Sequence, residues 1–250
     1  MGVITIYGQR LLPKSWRPVG AGIYWWGLRN YCPVCGWHTR SFRPLKVNPT
    51  FKERCTRCGA LSRHRFLWLY LMNRTNLFRD RLKVLHFAPE PCFSVHFSKF
   101  SNLDYTTADV DGGYTPGMEK LDLMSIEKPA NSYDVVLAIH VLEHVEDDAK
   151  AIREVYRVLK PGGWAILNPH MDLSKEKTFE DPTVTSPEER ERLFHQDDHY
   201  RVYGRDLRDR FEAGGFNVKV ENYMESLDQR TIEKSFLDTP GVVFFCKKPC

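Results

Sequence analysis

The strongest constraint on the fold lies between Tyr133 and His170, in "YDVVLAIHVLEHVEDDAKAIREVYRVLKPGGWAILNPH". An apolar run (133–140) precedes an amphipathic stretch (146–159) in which Ala149, Ile152, Val155, Tyr156 and Leu159 form one stripe at helical spacing. Asp147 and Asp148 suit the positive end of that helix, and Pro161-Gly162-Gly163 ends it. A second apolar run, 164–170, reads as the next strand. The same alternation runs through the chain from Leu82. Strands are expected at 83–88, 103–109, 217–223 and 241–248, with a weaker one near 119–123 and helices at 91–99 and 204–213. Alternation of this kind implies an α/β fold: a doubly wound, mostly parallel sheet with helices on both faces. Ligands of such sheets bind beyond the carboxyl ends of the strands, so Ala88, Pro89, Asp109, His140 and His170 are the positions to watch.

The chain is divided electrically. Residues 1–82 contain 15 Lys and Arg but only Glu53 and Asp80 as acids, a net charge of +13, whereas residues 83–250 carry −9. So sharp a split predicts two modules: a basic one over 1–60, a linking helix over 61–82 with Ser62 as N-cap, and a larger domain over 83–250. The basic module contains "CPVCG" (Cys32, Cys35) and "CTRCG" (Cys55, Cys58). Two such pairs, each closed by a glycine turn, can bring four thiolates to one Zn2+ at ~2.3 Å, and a four-thiolate shell makes the ion structural. Two disulfides are the alternative; they suit a cytosolic chain poorly and leave Cys92, Cys246 and Cys250 as an odd set. The module resembles a zinc ribbon. Its aromatic residues Tyr24, Trp25 and Trp26, with Arg17 and Arg29, suit either packing or base stacking. No apolar run reaches membrane-spanning length, and "MGVITIYGQRLLPKSW" lacks the pattern of a secretory leader, so a cytoplasmic protein is expected.

The Tyr133–His170 stretch also resembles the later motifs of class I S-adenosylmethionine-dependent methyltransferases: a strand of the "FD…LEH" kind, a helix, "LKPGG", then a strand. The resemblance implies a Rossmann-like transferase with seven strands in the order 3-2-1-4-5-7-6, the last of them antiparallel. In that family the first strand usually enters a glycine-rich loop. Here "VLHFAPEP" (84–91) has no glycine, and "LHFAPE" resembles a divergent subgroup in which this stretch replaces the loop. Alignment puts His86 at the family's usual acidic position and Ala88, Pro89 and Glu90 in the loop, with His86, Phe87, Ala88 and Pro89 among the implied cofactor contacts. Asp109 falls where the ribose-binding carboxylate stands, with Asp111 as its alternative. Asp122 resembles the acid that contacts the adenine amino group, and Leu123, Ile139 and His140 complete the implied S-adenosylmethionine contacts.

A hydroxyl acceptor must lose a proton during methyl transfer, and His140 or His170, each closing a strand, is the expected base. Glu143 and His144 read as capping or packing residues. The connection 171–202 is long enough to form a lid, with a short helix from Ser186. His195, His199, Tyr200, Arg201 and Tyr203 gather at its end, and His199 and Tyr200 are further catalytic candidates. The expected acceptor is an oxygen or nitrogen of a small molecule or glycan. Nucleic acid guided by the basic module, and a non-catalytic adaptor built on the same fold, are the competing readings.

Overall fold

The computed structural model describes residues 24–44, 52–113, 117–239 and 241–250. Residues 1–23, including Arg17, lie outside the described residues. The chain forms two compact units. The first contains residues up to Thr75 together with Pro91–His96 and Tyr223–Gly241; the second contains Asn76–Glu90, Phe97–Asn222 and Val242–Cys250.

The second unit is built on one seven-stranded sheet. Its strands are β5 (Leu82–Phe87), β6 (Leu103–Asp109), β7 (Glu119–Lys120), β8 (Tyr133–Ala138), β9 (Leu159–Ile166), β12 (Asn217–Asn222) and β13 (Val242–Lys247). Their order is β12-β13-β9-β8-β5-β6-β7. β5 pairs in parallel with both β6 and β8, and β8 with β9; only β13 runs antiparallel to its neighbours, β9 and β12. The expected strand order is therefore present, and the sheet is of the Rossmann-like methyltransferase type. Buried residues such as Leu85, Phe87, Val136 and Ala138 from the sheet share one core with Ile152 and Val155 from the helix Asp148–Val158 and Phe211 from the helix Leu207–Ala213.

Local chemistry explains the central strands. The Asp134 carboxylate accepts the Lys83 N–H at 2.8 Å and the Lys160 ammonium at 2.8 Å, so one side chain ties β8 to the starts of β5 and β9. Asp147 caps the following helix by accepting the Lys150 N–H at 2.8 Å. The helix stops at Val158, earlier than expected, and Pro161-Gly162-Gly163 falls inside β9, not in a loop. A Cβ on Gly163 would stand 2.9 Å from the carbonyl oxygens of Asp134 and Lys160, closer than a side chain tolerates.

The first unit contains two small antiparallel pairs, β1 (Trp26–Cys32) with β2 (Trp37–Thr39) and β3 (Arg43–Pro44) with β4 (Lys52–Arg54). It also contains the helix Ser62–Arg74, whose N-cap is Leu61. Ser62 is not the cap; its hydroxyl accepts the Asp238 N–H at 2.6 Å. The helix is buried on several sides, not along the single apolar face that its spacing predicts, because Arg65 is itself fully buried. Its guanidinium donates to the carbonyls of Ser235, Glu53, Ala60 and Phe236 at 2.6–2.9 Å and lies 3.9 Å from the Phe42 ring centroid. These bonds explain why residues 223–241 fold with the N-terminal unit and why the division differs from the expected cuts after residues 60 and 82. Replacement Arg65→Met removes the donor of the Ser235, Glu53 and Phe236 carbonyls and is expected to cost about 3–5 kcal/mol, read as a lower midpoint in chemical denaturation. An unchanged midpoint would show that the clamp is dispensable.

Candidate active site and four-cysteine cluster

The ends of β5, β6 and β8 enclose a cavity of ≈ 350 Å³. Phe87, Ala88, Asp109, Asp122, Leu123 and His140 line it, so six of the implied cofactor residues meet in one place. Two strand ends adopt an uncommon backbone conformation: Ala88 has φ 43° and His140 has φ 55°. Left-handed geometry costs a residue with a Cβ about 1–2 kcal/mol, which is why glycine usually fills such turns. Ala88 makes the turn without glycine because its N–H is held by the Ala108 carbonyl at 2.8 Å and its side chain is a single methyl.

Asp109 is 8% exposed. Its Oδ1 accepts the Asp111 N–H at 3.1 Å, and its carbonyl accepts the Leu121 N–H at 3.0 Å. The Asp111 side chain is exposed and does not line the cavity, so its contribution is to brace Asp109. Asp122 accepts the Met124 N–H at 2.8 Å and presents its half-buried carboxylate at the wall.

Four residues assigned from the sequence, His86, Pro89, Ile139 and Tyr200, lie away from this cavity. His86 is fully buried, and its Nδ1 lies 2.9 Å from the Tyr105 hydroxyl. Strand alternation sends it away from Phe87, and it is not at the cavity. Pro89 and Ile139 are buried and do not line the cavity. Tyr200 instead lines a second cavity, of ≈ 360 Å³, with Glu180 and Arg190, and the Arg190 guanidinium lies over its ring at 4.0 Å. Arg201 and Tyr203 are structural. The Arg201 guanidinium donates to the carbonyls of Leu142, Val145 and Glu146 at 2.6–3.1 Å and to Glu180 at 2.8 Å, while the Tyr203 hydroxyl donates to Asp148 at 2.9 Å.

Glu143 is the residue whose importance the sequence conceals. It is 1% exposed, and its Oε1 accepts the His140 Nδ1–H at 3.0 Å and the His170 N–H at 2.8 Å. Burial alone would raise its pKa, but bonds to His140 and His170 hold the carboxyl below its ordinary range. Since a carboxylate only accepts, Nδ1 of His140 carries a proton, and in the neutral imidazole the lone pair is on Nε2. His144, expected to be structural, also lines the cavity, with its Nδ1 3.0 Å from Asp198 Oδ2. His170 stands outside the cavity lining, within 5.8 Å and 6.1 Å (ring centroids) of His195 and His199. Burial lowers the pKa of both His170 and His199, favouring neutral imidazoles. The i, i+3 spacing of His140 and Glu143 was the available signal for their pairing.

In the connection 171–202, Ser186 caps the helix Pro187–Phe194 as its sequence predicts. The described part of the first unit holds Cys32, Cys35, Cys55 and Cys58 as one cluster. Cys32 and Cys58 sulfurs are 3.7 Å apart, and those of Cys35 and Cys55 3.8 Å. A tetrahedron with Zn–S bonds of ~2.3 Å has edges of about 3.8 Å, so the four sulfurs fit zinc. Gly36 (φ 67°) and Gly59 (φ 78°) close equivalent turns by donating to the Cys32 and Cys55 carbonyls at 2.9 and 3.0 Å.

Comparison with known proteins agrees with this architecture. A family model for a methyltransferase domain matches residues 97–167. Ajmaline N-methyltransferase from Rauvolfia serpentina is 40% identical over 55 residues, 21% of this chain and 19% of that enzyme. The match thus spans about a fifth of the relative's length. Among solved structures, an S-adenosylmethionine-dependent methyltransferase from Mesorhizobium loti has 17% identity and a TM-score of 0.52, covering 73% of this chain and 98% of its own. The [4+2]-cyclase SpnF has 15% identity and a TM-score of 0.51, covering 75% and 82%. These likenesses are of fold. Residues 97–167 thus resemble a methyltransferase domain, and the fold around them is that of S-adenosylmethionine-dependent methyltransferases. A cyclase on the same fold means that the reaction and acceptor must be argued from the site.

The substitution Arg201→Met removes the donor of the Val145 and Glu146 carbonyls behind the site and is expected to destabilise the protein by about 3–5 kcal/mol in chemical denaturation. Arg201→Lys is expected to recover only part, because an ammonium cannot reproduce the planar fork. Full recovery by lysine would mean that charge alone matters.

Proposed function

We propose that this protein transfers the methyl group of S-adenosylmethionine to an oxygen or nitrogen of a small molecule or glycan, in the cytoplasm. The observation that carries this reading is the cavity beyond β5, β6 and β8, with Asp109, Asp122 and His140 on its wall. When bound, the cofactor supplies a sulfonium-activated methyl group open to displacement by a nucleophile. Asp109 is assigned to the ribose hydroxyls, where charge-assisted bonds contribute roughly 1.5–3 kcal/mol each. Asp122 is assigned to the adenine amino group, Phe87 and Leu123 to the apolar surface, and the Ala88 turn to the methionine end. His140 takes the proton of the acceptor on Nε2 while Glu143 holds its other nitrogen. His170 and His199 shape the acceptor side, with residues 171–202 as the lid that excludes water.

The name of the Rauvolfia relative supports a small amine acceptor. A second reading, a nucleic acid acceptor, is supported by a basic cavity of ≈ 840 Å³ in the first unit, lined among others by Arg29, Arg40, Arg230 and Lys234. Among the described residues no helix is long and apolar enough to cross a membrane.

Calorimetric titration with S-adenosylmethionine or its demethylated product is expected to give one site, weakened at least ~10-fold by Asp109→Asn, equivalent to about 1.4 kcal/mol. Silence up to millimolar concentration would overturn the assignment. Once mass spectrometry of a metabolite or RNA pool incubated with labelled cofactor identifies the acceptor, His140→Gln is expected to lower kcat by ~10²–10⁴ and change its pH profile while cofactor affinity holds. For the cysteine cluster, a Zn2+ that survives dialysis and disappears in Cys58→Ser is expected, with a fall in Tm on chelation. A metal-free chain melting at an unchanged temperature would remove zinc from the account.

A further inference from the structure

Five of the nine histidines, His140, His144, His170, His195 and His199, lie at one end of the second unit. This is separate from the four-cysteine cluster, and its chemistry is different. Candidate ligand atoms of Glu143, His144 and His199 all lie within 4.8 Å of one another.

Three observations give this trio the character of a metal site. Glu143 is 1% exposed; its Oε1 has two donors, but its Oε2 is buried without a hydrogen-bond partner. A buried carboxylate oxygen left bare is costly unless a donor or cation meets it. His199 Nδ1 lies 2.8 Å from the Phe194 carbonyl, which can only accept, so Nδ1 carries the proton and Nε2 the lone pair. His144 Nδ1 lies 3.0 Å from Asp198 Oδ2, with the same consequence. A histidine whose outer nitrogen is held by a carbonyl or carboxylate is oriented as metal-ligating histidines are. The rings of His144 and His199 meet edge to face at 4.6 Å between centroids.

We propose that Glu143, His144 and His199 bind a divalent first-row transition ion, with positions left open for an oxygen of the acceptor. Two imidazoles and one carboxylate suit Zn2+, Mn2+, Co2+ or Fe2+ in an incomplete shell. His144 also lines the candidate cofactor cavity, so the ion stands where an acceptor hydroxyl would enter. Coordination acidifies a hydroxyl, and its proton passes to His140, which leaves the oxygen as the nucleophile. The substrate class becomes a hydroxyl-bearing acceptor. This role rests on the methyltransferase reading, whereas the binding of the ion does not.

The test is calorimetric titration of zinc-replete full-length protein with Co2+ or Mn2+ alone, without cofactor. One further equivalent is expected beyond the thiolate site, its affinity falling at least ~100-fold in the double variant His144→Ala/His199→Ala. Asp198→Ala, at an exposed side chain, is expected to weaken binding ~10–100-fold without unfolding the protein. No further equivalent up to millimolar ion, or equal affinity in the folded variants, overturns the proposal. A separate titration with S-adenosylmethionine reads the cofactor site, so failure of one is distinguishable from failure of the other.

Discussion

The organisation of the candidate active site depends on the buried carboxylate of Glu143. It accepts bonds from His140 and from the backbone of His170, which follow β8 and β9, and its carbonyl accepts the Tyr200 N–H at 2.8 Å at the end of the long connection. Three segments far apart in sequence are thus registered by one residue. A buried carboxylate is expensive to desolvate, and such a group persists where its partners compensate for the lost water. The nearby Arg201 fork solves the complementary problem. It satisfies three carbonyls of the turn that carries Glu143, where no regular ladder is available to pair them.

The strand–helix alternation was legible because each element obeys its own period, and the sheet follows the order that the resemblance implies. Two parts were not legible, for physical reasons. Residues 223–241 form a 3-10 turn and the short helix Gln229–Ser235, and they fold with the N-terminal unit through Arg65, a contact more than 160 residues distant in sequence. No local pattern encodes a partner that far away. Strand position brings Ala88, Asp109 and His140 to one cavity, whereas the side-chain alternation of β5 carries His86 away from it. Tyr200 and Arg201 could not be distinguished from the neighbouring His199 by sequence, since all three are polar residues at the end of one loop.

The missing glycine of the first turn bears on the chemistry. Ala88 and His140 both adopt positive φ at neighbouring strand ends, β5 and β8 being paired as far as Phe87 and Ala138. Each pays a conformational cost that an ordinary turn would avoid, and each is held by a backbone bond, Ala88 N–H to Ala108 and His140 N–H to Asn168 at 2.9 Å. The result is a pair of rigid corners on the same cavity. At one corner a methyl replaces hydrogen with little loss of space. At the other, the positive φ turns an imidazole into the cavity while Glu143 fixes its tautomer. A glycine at residue 140 would relax the backbone but remove the base. The second corner therefore supports a functional cause for its strain more strongly than the first, where glycine would serve equally well.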